Sequence, residues 1–95
     1  MNDLLVNSLF LDPCIEEGTD LMGNGVGWSN EGWDHFAGVP NVAACQKRCQ
    51  DNSKCHYWTF GVTIYKNECW LKKSDSGREP RRGLISGRKY CGELN

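Results

Sequence analysis

The stretch Asn41-Val42-Ala43-Ala44-Cys45-Gln46-Lys47-Arg48-Cys49-Gln50-Asp51, followed by Asn52-Ser53-Lys54 and then Cys55-His56-Tyr57-Trp58-Thr59-Phe60, decides the fold. Its first part follows Pro40, opens on an N-cap residue, Asn41, and continues in good helix formers with no glycine or interior proline, which predicts a helix. Val42, Cys45 and Cys49 recur at steps of three and four, so both sulfurs fall on the buried face while Lys47, Arg48, Gln50 and Asp51 look outward. Asn52-Ser53-Lys54 has turn chemistry, and the aromatic and β-branched run from Cys55 to Phe60 reads as a strand with Trp58 and Phe60 on its core side.

Beyond a turn around Lys66-Asn67, a second strand is expected over Glu68-Cys69-Trp70-Leu71-Lys72, with Leu71 turned to the core. Trp70 alternates the other way, towards solvent or over a disulfide. The six cysteines, Cys14, Cys45, Cys49, Cys55, Cys69 and Cys91, permit 15 pairings. The short loop makes Cys49 with Cys55 the natural local staple, and a hairpin would place Cys69 beneath the helix to meet Cys45. Cys14 then remains for Cys91, a bond that would tie the two ends of the module together. Structural zinc needs ligands in close pairs, and only Cys45 and Cys49 are so spaced, with His35 and His56 far apart. No Cys-x-x-Cys for thiol exchange is present. An even cysteine count in so short a chain, outside a metal pattern, favours three disulfides and an extracellular setting.

At 95 residues the chain holds one domain, and 39% hydrophobic residues with eleven glycines describe a small core that needs covalent reinforcement. Most enzyme architectures are excluded on size. His56 beside a bridged Cys55 lacks a free thiolate, and the neighbouring Glu16 and Glu17 point to opposite faces of a strand, so neither catalysis nor a cofactor is expected. No apolar run approaches the ~20 residues that cross a bilayer, so membrane insertion is not expected. The apolar start Leu4 to Leu11 lacks the charged flank and cleavage site of a signal peptide, so the chain is read as a mature piece of a larger secreted protein. The net charge of −1 hides a division. Seven acidic residues and no Lys or Arg precede Cys45, and eleven basic residues against five acidic ones follow. That asymmetry steers a partner only if folding separates the signs, and otherwise the two halves neutralise each other. A near-neutral chain without a recognition helix is no nucleic-acid binder.

Five runs together resemble a PAN/apple domain, most like an apple repeat of an apicomplexan microneme adhesin. They are Cys14-Ile15-Glu16-Glu17-Gly18-Thr19-Asp20-Leu21-Met22-Gly23, Val39-Pro40-Asn41 through Cys49, Cys55 through Phe60, Cys69-Trp70-Leu71-Lys72-Lys73-Ser74, and Gly83-Leu84-Ile85-Ser86-Gly87-Arg88-Lys89-Tyr90-Cys91. The resemblance implies an α+β fold, a sheet of about five antiparallel strands cradling one helix. It also implies first-to-sixth, second-to-fifth and third-to-fourth disulfides, the pairing reached above. Residues 14–91 form the domain, 1–13 a linker or appended segment, and 92–95 a tail. What the family implies for function is a secreted, non-enzymatic adhesion module, one of several tandem repeats, that binds a host-cell surface glycan or protein receptor after storage in a secretory organelle such as the microneme.

Two surfaces carry candidate ligand residues. The segment from Asn24 to Gly38 is longer and richer in Gly and Trp than the resemblance leads one to expect, and its Trp28, Trp33 and His35 either stack on sugar rings or fold back into the core. Lys72, Lys73, Arg78, Arg81 and Arg82 lie in a stretch bounded by Pro and Gly that reads as a loop, able to hold sulfate or carboxylate groups or else simply solvated. The contrasting function is a structural or assembly domain that contacts neighbouring repeats or a partner protein and no glycan. Linkage of weak individual contacts would serve either role.

Overall fold

The computed structural model describes residues 14–22 and 34–90. In chain order the elements are β1 (Ile15–Leu21), β2 (His35–Phe36), α1 (Val42–Gln50), β3 (Tyr57–Gly61), β4 (Cys69–Lys72) and β5 (Arg78–Arg88). The five strands form one antiparallel sheet in the order β1-β5-β3-β4-β2, and α1 packs on one face of it. This is the expected α+β architecture, a five-stranded sheet cradling one helix.

The helix begins and ends where its caps dictate. Asn41 is extended and its side-chain oxygen accepts a hydrogen bond from Ala44 N at 2.8 Å, while Asp51 N donates to the Lys47 carbonyl at 3.0 Å. Lys47 and Arg48 in the last turn complement the negative end of the helix dipole. Cys45 and Cys49 are fully buried, and their sulfurs bond to Cys69 and Cys55 respectively. One staple therefore fixes the middle of α1 to β4, and the other fixes its end to the approach to β3. Gln50, expected to look outward, instead donates from Nε2 to the Lys89 carbonyl at 3.0 Å, and Gln46 reaches the same oxygen at 3.2 Å. Their amides tie α1 to the end of β5. Cys14 is oxidised, and its expected partner Cys91 lies outside the described residues.

Between helix and sheet lie Val39, Cys45, Cys49, Cys55, Trp58, Phe60, Cys69 and Leu71, with Phe36, Val42, Ala44 and Ile85 packed against them. Half-cystines make up four of those eight buried residues, which is how so small a chain closes a core. Trp58, Phe60 and Leu71 face the helix as their alternation requires. The Trp58 indole fills the space above Gly87, where any Cβ would overlap it, and Trp58 Nε1 donates to the Arg88 carbonyl at 2.9 Å.

The opposite face carries a row that crosses every strand. In register, Glu16 opposes Ser86, Ser86 opposes Thr59, Thr59 opposes Trp70, and Trp70 opposes His35. Thr59 and Ser86 are buried although α1 is on the other side. The cover comes from the β1–β5 ribbon, which folds back over its own sheet. β1 pairs with β5 in two registers, Glu17 with Ile85 and then Thr19 with Pro80, so residues 81–84 bulge out opposite Gly18. Gly18 and Gly83 have φ of 69° and 96°, the left-handed backbone that such a corner requires. The fold-back lets Ser86 Oγ donate to the Thr19 carbonyl at 2.8 Å, and Thr59 Oγ1 lies 2.7 Å from the same hydroxyl. Since the Ser86 proton is used on Thr19, Thr59 is the donor in that pair. Leu21, on the folded-back end, is fully buried.

The stretch from Lys72 to Gly83 is mostly strand and not the loop expected. Only residues 73–77 connect two strands, and Arg78, Arg81 and Arg82 belong to β5. Pro80 is tolerated because, among the described residues, 78–80 pair with β1 and not with β3, so no β3 carbonyl there calls for an N–H from β5. Of the two readings of the charge asymmetry, the ribbon follows neutralisation: acidic β1 lies beside basic β5, and Arg78 pairs with Glu16.

Candidate functional site

The folded-back ribbon roofs part of the sheet and leaves a cleft of about 400 Å³ beside it. Its floor is the end of the cross-strand row. His35 stacks flat on Trp70, with ring centroids 5.1 Å apart and planes within 3°, and Tyr65 meets Trp70 edge-on at 5.7 Å. This placement follows from register, because His35 and Trp70 are directly opposed and closely spaced side chains on one face must touch. His35 Nε2 and Glu68 Oε1 are 2.7 Å apart, a hydrogen bond that fixes the imidazole in its stacked orientation. The floor is a broad aromatic surface with polar edges.

The wall opposite is built by Asp20 and Met22 on the ribbon and by Arg81 and Leu84 at the β5 bulge. Arg81 sits with its guanidinium carbon 5.9 Å from the centre of the Tyr65 ring. At the inner end is Lys72, which β4 alternation places on the face of Trp70 and away from Leu71. Lys72 is only 8% exposed. Burial pushes its ammonium below the ordinary value of 10.5, and the carboxylates of Asp20 and Asp34 pull it back only in part. The cleft therefore offers ring faces, hydrogen-bond acceptors and two cations within one concavity.

The residues expected to bind ligand are distributed unevenly about this cleft. His35, Lys72 and Arg81 line it together. Arg78 lies on the far side of the ribbon in a smaller hollow of about 170 Å³, where its guanidinium is taken up by Glu16 at 2.8 and 2.9 Å and Asp75 at 3.4 Å. Those contacts raise the Arg78 pKa further and leave it little capacity for a ligand anion. Arg82 borders a shallow groove with Glu17 and Gly83, and Lys73 is exposed on the turn after β4. The five basic side chains thus form no single polyanion patch, because strand alternation and the ribbon fold send them to different surfaces. Trp28 and Trp33 lie outside the described residues. Trp70, Tyr65, Asp20 and Glu68 were not expected in a site. The two-residue alternation that turns Leu71 inward was the signal for Trp70 and Lys72 sharing a face.

A family model described as PAN domain matches residues 18–72, and the chain belongs to that family. A PAN module from Eimeria tenella, solved in solution, superposes with a TM-score of 0.54 at 25% identity, covering 86% of this chain and 85% of that one. No curated protein sequence matches the chain. PAN modules are a domain type often used in adhesion or protein–protein contacts and are generally non-enzymatic. Among the described residues no helix is long and apolar enough to cross a membrane, and no His, Cys, Asp or Glu cluster could hold a metal ion. Buried disulfides fit an oxidising, extracellular environment.

Proposed function

We propose that the chain is a non-enzymatic extracellular recognition module that seats a host-cell surface saccharide in the cleft beside the folded-back ribbon. The observation that carries this reading is the flat His35–Trp70 stack, locked by Glu68 and bordered by Lys72, Asp20 and Arg81. An apolar ring face rests on the aromatic floor while hydroxyls exchange hydrogen bonds with the charged rim. The module acts as one repeat of a tandem, microneme-type adhesin, where linked copies convert weak single contacts into attachment. Membership of the PAN family, a domain type often used in adhesion or protein–protein contacts, supports the recognition role.

Titration of the labelled, oxidised protein with galactosylated, sialylated and sulfated oligosaccharides tests the reading. At least one of them perturbs the Trp70 and His35 resonances, and Trp70→Ala removes the response. A blank titration across all three classes overturns saccharide recognition and favours the assembly role, contact with a protein partner or neighbouring repeats.

A further inference from the structure

One group in the cleft is unspent. Lys72 is more than nine-tenths buried, and among the described residues nothing accepts a hydrogen bond from its ammonium or pairs with it at ion-pair distance. Removing an ammonium from water without acceptors is costly. Asp20 and Asp34 act on it only through space, and their combined pull is smaller than the penalty of burial. Glu68 is already held by His35, and the second cation, Arg81, borders the same cleft. A ligand hydroxyl would satisfy one of three donors and leave the charge uncompensated. A carboxylate brings two acceptor oxygens and the missing counter-charge together.

We propose that the cleft selects a saccharide bearing a carboxylate, with that group seated on Lys72 Nζ and the sugar ring lying over Trp70. This deepens the saccharide reading above and rests on it. The smaller hollow on the other side of the ribbon has no equivalent, since Arg78 there is occupied by Glu16 and Asp75.

Matched pairs of simple sugars provide the test: methyl galacturonide against methyl galactoside, and methyl glucuronide against methyl glucoside, rings that differ only at C6. In one pair the acid binds the wild-type protein at least about tenfold more tightly than its neutral partner. Lys72→Met removes that preference, so that acid and neutral sugar bind the variant with equal affinity. Trp70 shifts from both members of a pair with equal affinity overturn the carboxylate site and leave saccharide recognition standing. No shift from any of the four sugars overturns both. The wild-type comparison requires no variant, so a folding defect in Lys72→Met does not blunt it.

Discussion

Arg78 Nε lies 2.8 Å from Glu16 Oε1, although the strand partner of Arg78 is Leu21, five residues further along β1. On a straight strand those five residues would span about 17 Å. The corner at Gly18 and Gly83 removes that separation, and the ion pair closes the folded-back ribbon like a clasp. Both side chains are partly exposed, so the pair is screened by solvent and its contribution is modest. Its two parallel hydrogen bonds place it at the favourable end of such pairs. A double-mutant cycle of Glu16→Gln and Arg78→Met, read by chemical denaturation of the oxidised protein, is expected to give a coupling of about 0.5 to 1 kcal/mol. A coupling indistinguishable from zero would show that the ribbon holds its fold without the clasp.

The two described disulfides differ in what they constrain. Cys45–Cys69 closes 24 residues and Cys49–Cys55 closes six. Chain entropy alone assigns about 3.5 kcal/mol to the first and about 2 kcal/mol to the second. All four half-cystines are core residues, so either removal leaves a cavity and the closed-loop length sets the difference. The variant with Cys45 and Cys69 both replaced by Ala should therefore lose clearly more stability than the one lacking Cys49 and Cys55. The ordering of the two denaturation midpoints checks this, and a reversed order contradicts it.

Much of this was open to inspection in the chain itself. Pro40 and Asn41 mark the helix start, the steps from Val42 to Cys45 to Cys49 mark its buried face, and Trp58, Phe60 and Leu71 lie inside where period-two alternation puts them. Local patterns could not supply the ribbon. Arg78-Glu79-Pro80-Arg81-Arg82 has the composition of a loop, and it becomes strand because β1, more than fifty residues away, pairs with it. His35-Phe36 is too short for any period to reveal, and it is a strand only because β4 offers an edge. The cleft inherits both difficulties. His35, Lys72 and Arg81 are individually conspicuous, yet the wall that unites them exists only after the ribbon turns at Gly83.

Gly87 is the position where a single methyl should be felt most directly. A Cβ there would overlap the Trp58 indole, itself fully buried and anchored to the Arg88 carbonyl. The indole cannot retreat without losing that bond or intruding on the core. Gly87→Ala is expected to cost about 2 kcal/mol, which for a domain of this size lowers Tm by roughly 10 °C. An unchanged Tm would mean that Trp58 does not occupy the space above Gly87.

Lys72→Met should make the protein more stable while impairing recognition. The substitution keeps the unbranched stem that fills the inner end of the cleft and deletes an ammonium that burial disfavours, a gain of about 1 kcal/mol. Loss of the favourable field from Asp20 and Asp34 works against this, but that field is weaker than the burial it offsets. The sign of the pH dependence follows from the lowered pKa. A lysine whose folded-state pKa lies below its unfolded value binds fewer protons when folded, so stability rises as pH climbs through the folded pKa towards 10.5. Below the folded pKa the whole penalty is present in the wild type and absent from the variant. The variant's advantage in denaturation free energy should therefore be largest near neutral pH and should shrink as pH approaches 10.5. An advantage that stays constant over that interval would assign it to packing and remove the charge of Lys72 from the account.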